Sequence, residues 1–282
     1  MRSISKQGRH SPYVLTISAP LAETHAEPTS SPPSGQPDES KAVPGQSDPR
    51  TISIAVLGPL AIDGHAHKIK RAATYELLAY LAFHPQGASR DELTEAIWPE
   101  QDPARTRPRL WQSVTEAKRA LDNAWIHHGE RYQLDRAKVR VDLDDLDCLL
   151  TASGGDTSDA AALESALALW RGEPLEGSDY LWSEGEIRNL HATLVDLLER
   201  VGRSRLGRGD ARGALQLAEQ AITLAGLHAP SWRLALQAEH SLGLRESIAR
   251  RYDELARSLD EQLGLEPARE TRLIYRQLLG QT

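Results

Sequence analysis

Only one of the 282 residues is a cysteine, Cys148, so no intrachain disulfide can form. That usage fits a reducing compartment. Aromatic residues make up 5% of the chain, and Leu and Ala carry most of the apolar mass, a balance that favours helix. No run of about 18 apolar residues occurs, so no membrane span is expected. Residues 1–20 lack an apolar core and a cleavage site, so no secretory signal is expected either, and the expected location is cytoplasmic. A Gly-rich phosphate loop, a nucleophile elbow and a zinc-hydrolase motif are all missing. The chain is therefore not expected to be an enzyme, and neither catalytic residues nor cofactors are assigned. His65 and His67, like the pair His127 and His128, have no third ligand placed beside them and read as surface histidines rather than metal ligands. Asp142, Asp144, Asp145 and Asp147 lack the central Gly and closing Glu of a calcium loop.

What is present begins with charge. The formal net charge is −7, but it is unevenly distributed. Residues 1–50 are neutral, residues 51–145 carry −1 and residues 146–282 carry −6. Local basic faces therefore remain open to the first folded half, and a local face is what a polyanion requires.

Residues 1–50 are rich in Pro, Ser, Gly, Gln and Asp toward their end and read as a disordered tail or linker. Order is predicted from Thr51. Ile52, Ile54 and Val56 alternate as in a strand. A second short strand is expected at residues 60–62 before the turn pair Asp63-Gly64, and a third at residues 68–70. A helix is predicted over 71–84, with Leu77, Leu78, Leu81 and Ala82 as its apolar stripe. The next opens at Ser89, where Ser89 and Glu92 have the spacing of a capping box, and stops at Pro99. A third helix runs to about Leu121. Asp102-Pro103 is a good start signal, but Pro108 is disfavoured deep in a helix, so Thr106 is taken as the cap. Residues 131–134 and 139–142 bracket a four-residue turn and read as a β-hairpin. From residue 146 onward every segment reads as helix: 158–171, 184–207, 210–225, 229–242, 245–263 and 268–279. Gly209 and Gly243 lie 34 residues apart, and the pairs Ala214/Ile248, Ala218/Tyr252 and Ala221/Leu255 share that offset. This resembles a tetratricopeptide hairpin, although an unrelated helical bundle would carry similar small residues.

On a wheel of about 100° per residue, Leu110, Val114, Ala117 and Leu121 of the third helix share one face. Gln112, Thr115, Glu116 and Arg119 then face outward, Arg109, Trp111 and Lys118 flank them, and Arg105 and Arg107 sit at the entry. Gln and Arg can hydrogen-bond base edges, and flanking cations suit phosphates. A solvated amphipathic helix would carry the same charges. The capped helix before it and the hairpin after it favour the groove-reading alternative, with Arg131, Arg136, Lys138 and Arg140 as a basic wing. Trp98, Trp111 and Trp170 read as core or interface packing rather than ligand platforms.

Residues 52–145 resemble the DNA-binding domain of the OmpR/PhoB-type winged helix. The segments that carry the likeness are Ile54-Ala55-Val56-Leu57-Gly58-Pro59-Leu60 and residues 77–85, 89–98, 106–121 and 131–134. Ala166-Leu167-Ala168-Leu169-Trp170-Arg171-Gly172-Glu173-Pro174-Leu175 and Leu263-Gly264-Leu265-Glu266-Pro267 extend it, so that residues 52–280 resemble the SARP-type activators (antibiotic regulatory proteins). Pro108, Glu116 and the stretch from 123 to 129 depart from that pattern. The resemblance implies a mainly α fold with a tail at 1–50. A winged helix-turn-helix domain of α+β type with small sheets follows at 51–145, then an all-α TPR-like activator domain at 146–282. It implies double-stranded promoter DNA and RNA polymerase as partners, with a homodimer left open. The residues assigned to DNA are Arg105, Arg107, Arg109, Gln112, Thr115, Lys118, Arg119, Arg131, Arg136, Lys138 and Arg140. The alternative, which Glu116, Pro108 and the near-neutral first half support, is a protein-interaction scaffold whose winged domain has lost DNA affinity.

Overall fold

A computed structural model describes residues 52–122, 124–128, 131–154 and 159–280. The tail expected at residues 1–50 lies outside them. The chain enters as β1 (Ile52–Ala55), whose alternate residues Ile52 and Ile54 are buried. A turn leads into β2 (Ala61–Asp63), which pairs antiparallel with β1. Next come α1 (Ala72–Phe83), β3 (Ala88–Ser89), α2 (Arg90–Ile97) and α3 (Pro103–Ala120). After them lie β4 (Trp125–His128), β5 (Arg131–Leu134) and β6 (Val139–Val141). Among the described residues these strands form two three-stranded sheets, ordered β2-β1-β6 and β3-β5-β4.

Three local expectations are corrected by this topology. Residues 68–70 form no strand. The backbone N–H groups of Lys70 and Arg71 donate instead to the Glu116 carboxylate of α3, and Ile69 alone turns into the core. The hairpin is β4–β5, with Trp125 opposite Leu134 and His128 opposite Arg131. Residues 139–141 leave it and pair parallel with β1, Ile52 facing Val139 and Ile54 facing Val141. Both valines are thereby buried beside the isoleucines, burial that a solvent-facing hairpin strand would not supply. Third, α3 starts at Pro103, not Thr106. The Asp102 side chain accepts from Ala104 N at 2.9 Å, and Pro103 occupies the first turn, where its missing N–H is harmless. Pro108 sits inside the helix on its exposed side, so the carbonyl it leaves unpaired faces water.

The second half is helical throughout its described residues. It comprises α4 (Asp142–Ala152), α5 (Ala160–Ala168), α6 (Ser183–Gly207), α7 (Ala211–Leu224), α8 (Ala229–Ser241), α9 (Arg245–Leu263) and α10 (Arg269–Leu279). Helix α4 was not expected; its first turn is the acidic run Asp142, Asp144 and Asp145, which suits a helix N-terminus. Small residues let α6, α7 and α8 approach. Ala214, Ala218 and Ala221 are fully buried, and a Cβ on Gly202 would meet Leu234 Cδ2 at 2.6 Å. The architecture is a winged helix followed by a TPR-like helical array.

The two halves exchange side chains where they meet. Leu175 packs into the first core, and Leu57 into the second. Backbone bonds reinforce the junction: Arg171 N donates to Leu57 O at 2.7 Å and Leu175 N to Val56 O at 3.1 Å. Gly58, at φ 148, allows this approach, since a Cβ there would lie 2.9 Å from Arg171 Cβ.

Candidate nucleic-acid interface

The helix-turn-helix is built by local rules. Ser89 Oγ accepts from Glu92 N at 3.2 Å, and Glu92 returns the bond by accepting from Ser89 N at 2.6 Å. This capping box fixes where α2 begins. Leu93 and Ile97 of α2 and Leu110, Val114 and Ala117 of α3 are buried together in one core. That packing fixes the rotation of α3 about its axis. Arg105, Arg107, Arg109, Trp111, Gln112 and Arg119 are exposed, while Thr115, Glu116 and Lys118 are half-buried.

Among the described residues, the side chains of Arg105, Arg107, Gln112, Lys118 and Arg119 have no hydrogen-bond or ion-pair partner within the protein. Arg109 donates to Gln101 Oε1 at 3.0 Å, and Thr115 Oγ1 donates to the Trp111 carbonyl of its own helix. Glu116 is different. It accepts from Lys70 N, Arg71 N and Thr74 Oγ1 and pairs with the Arg71 guanidinium at 3.4 Å. It thus sits beside the N-terminus of α1 and holds the two residues that lead into that helix, where a negative charge is favoured. Partial burial alone would raise its carboxyl pKa, but the Thr74 and backbone hydrogen bonds and the Arg71 charge together outweigh it and hold the group below the usual range. Glu116 therefore belongs to the α1–α3 contact and not to the outward face.

The cations on the hairpin and after it are otherwise engaged. Arg131, on β5, donates to Gly87 O at 2.7 Å and pairs with Glu92. Arg136 donates to the α1 carbonyls of Leu81 and Ala82 and pairs with Asp144 at 2.6 Å. Lys138 pairs with Asp135 at 3.1 Å and Arg140 with Asp145 at 2.6 Å. Arg136, Lys138 and Arg140 lie off the observed β4–β5 hairpin, so the basic wing read from the sequence is not assembled.

Sequence reasoning missed what lies beside α3. The segment from His67 to Arg71 borders a groove of about 910 Å³ whose other wall is Trp111, Gln112, Thr115, Glu116 and Arg119. Lys68 and Lys70 have no side-chain partner among the described residues. Trp111, read as packing, is 68% exposed. The signal was present: three cations stand within residues 68–71, interrupted by one apolar residue.

Electrostatics also ties this half to the next. Asp142, 9% exposed, accepts from Val56 N at 2.8 Å and Leu57 N at 2.9 Å, with the Arg171 guanidinium at 3.8 Å. Burial pushes its carboxyl up to about 6, against the opposing pull of those N–H donors and of Arg171.

Comparison with known proteins agrees with this architecture. Residues 144–279 match the bacterial transcriptional activator domain. The transcriptional regulatory protein MoaR1 of Mycobacterium bovis (strain BCG / Pasteur 1173P2) is 23% identical over 252 residues, covering 82% of this chain and 80% of its own length. The Mycobacterium tuberculosis (strain ATCC 25618 / H37Rv) protein of that name matches with the same identity and coverage. Among solved structures, Mycobacterium tuberculosis EmbR in complex with a low affinity phosphopeptide superposes with a TM-score of 0.72 at 20% identity, a likeness of fold. It covers 82% of this chain, which spans 66% of that chain's length. No helix among the described residues is long and apolar enough to cross a membrane.

Proposed function

We propose that this chain, a SARP-type transcriptional regulator carrying a bacterial transcriptional activator domain, binds promoter DNA sequence-specifically through α3 and activates transcription by recruiting RNA polymerase. One observation carries the DNA reading. The cations Arg105, Arg107, Lys118 and Arg119, with Gln112, share the outward side of a helix whose other side is locked into the core, and none has a side-chain partner among the described residues. Four unpaired cations beside an exposed Gln suit both jobs that a groove-reading helix performs: phosphates are held by charge and base edges by hydrogen bonds. Arg109 and Thr115 flank this face and contribute at its margin. Residues 144–279 match the bacterial transcriptional activator domain, which supports giving the contact with RNA polymerase to the helical half.

The test is a fluorescence anisotropy titration of the full chain on duplexes selected from random sequence, at two salt concentrations. Arg119→Ala is expected to lose roughly 1–3 kcal/mol on the selected site and to relax preference at one base pair. Thermal stability is expected to be unchanged, because Arg119 touches nothing internal. A parent that binds no duplex at low salt would defeat the reading. A scaffold whose winged domain has lost DNA affinity would then take its place, a reading favoured by the internal pairing of Arg136, Lys138 and Arg140.

A further inference from the structure

The groove beside α3 has an indole, Trp111, on its helix wall and a second wall that is cationic. At about 100° per residue, Trp111 stands on the outward side of α3, roughly 60° from its middle, with Arg107 and Lys118 beyond it on one side and Thr115, Arg119 and Gln112 on the other. An indole that is 68% exposed among unpaired cations is not packing the fold. The segment facing it is pinned. Ala66 N donates to Ala120 O at 2.8 Å, and Lys70 N and Arg71 N donate to Glu116 at 3.2 Å. The segment therefore runs alongside the C-terminal half of α3, and it carries Lys68 and Lys70.

A helix with its side chains is about 10–12 Å across and fills a major groove about 12 Å wide. The long side chains on its outward side reach base edges, and whatever lies alongside the helix, beyond that side, meets the phosphates that wall the groove. In the major groove the apolar feature of a base edge is the thymine 5-methyl group.

We propose that Trp111 packs on a thymine methyl in the DNA site while Lys68 and Lys70 hold the phosphates of the adjacent strand. The site thus requires a thymine at a fixed position, and the segment before α1 clamps the phosphates. This rests on the reading of α3 as the DNA-binding helix.

The experiment uses the full chain and the duplex that it selects from random sequence. Each thymidine is replaced in turn by deoxyuridine, which removes the methyl and nothing else. The parent is expected to lose affinity about fourfold at one position, the worth of one methyl taken out of water. Trp111→Ala is expected to be indifferent to that replacement, and Trp111→Phe to keep the penalty. Lys68→Ala with Lys70→Ala is expected to weaken all duplexes alike and to flatten the log–log salt dependence by roughly two. All three side chains are exposed, so thermal unfolding is expected to match the parent. A deoxyuridine penalty that survives in Trp111→Ala, no penalty at any thymidine, or an unchanged salt slope in the lysine variant overturns the proposal. If Arg119→Ala still loses specific affinity in that case, the DNA-binding role of α3 stands and only this assignment falls. If the parent binds no duplex, both fall.

Discussion

Helix α3 and the segment from Arg131 to Asp145 carry similar numbers of cations and use them in opposite ways. The helix has five, Arg105, Arg107, Arg109, Lys118 and Arg119, and one carboxylate, Glu116, which is held by α1. The segment has four, Arg131, Arg136, Lys138 and Arg140, among four carboxylates of its own, and each of the four is paired. Counting positive charge would rank the two stretches alike. What separates them is whether a carboxylate stands within reach once the backbone is folded. A polyanion competes for a paired cation only by breaking an internal contact, whereas an unpaired one is ready for it. The contrast can be tested from both sides, by asking what stability the inward charges carry and whether DNA notices them.

The largest effect is expected at the end of the segment that turns fully inward. Folding raises the Asp142 carboxyl from an ordinary value of 3.8 to about 6. The folded chain therefore holds a proton that the unfolded chain releases between those values. Stability falls as pH climbs through that window, and above it the buried charge costs roughly 3 kcal/mol relative to the protonated form. Asp142→Asn cannot ionise, yet its Oδ1 still accepts from Val56 and Leu57. Measured by urea unfolding, the stability of this variant relative to the parent is expected to rise between pH 4 and pH 7 by about that amount. A flat difference would mean that the carboxylate is not desolvated at the junction of the two halves.

The next effect concerns Arg136. Its side chain is 19% exposed and closes the C-terminal turn of α1 by donating to two carbonyls while it pairs with Asp144. Arg136→Ala leaves those carbonyls short of a donor and is expected to cost about 2 kcal/mol, in the range for hydrogen bonds to charged groups. DNA affinity per folded molecule is expected to be unchanged. A loss of affinity at constant stability would move Arg136 into the interface and weaken the contrast with α3.

Part of this contrast was legible in the sequence. Ser89 and Glu92 announced the start of α2, because a capping box is a local device. Apart from α4, the helices of the second half also ended near their expected bounds, because turn residues mark them. The wheel correctly turned Leu110, Val114 and Ala117 inward. It could not show that the α1 N-terminus docks on Glu116, since a wheel holds one helix and not its neighbours. Residues 131–134 and 139–141 alternate equally well for a hairpin, and only the parallel partner β1, some 85 residues earlier, decides against it. Pro108 moved the expected start of α3 because a proline past the first turn removes an i→i−4 bond, yet the helix carries it in its interior, on the exposed side.

The smallest effect is the most pointed, because sequence and structure disagree about it. As part of a basic wing, Lys138 would touch a phosphate, and Lys138→Ala would flatten the salt dependence by about one unit of log–log slope. In the structure its ammonium is 3.1 Å from Asp135, inside the turn that precedes β6, and off the β4–β5 hairpin. The pair is three residues apart and its lysine is largely exposed, so its own worth is small, within about 0.5 kcal/mol. Lys138→Ala is therefore expected to change neither unfolding nor binding. The salt slope of the variant is expected to overlay that of the parent, in contrast to the paired replacement of Lys68 and Lys70. Asp135→Asn makes the sharper companion. It releases the lysine, so a gain in non-specific affinity there, absent in Asp135→Asn with Lys138→Ala, would show that the internal pair is what keeps this cation from DNA. If Lys138→Ala alone lowers the slope by one, the lysine leaves Asp135 for phosphate, and the division between free and engaged cations fails at this position.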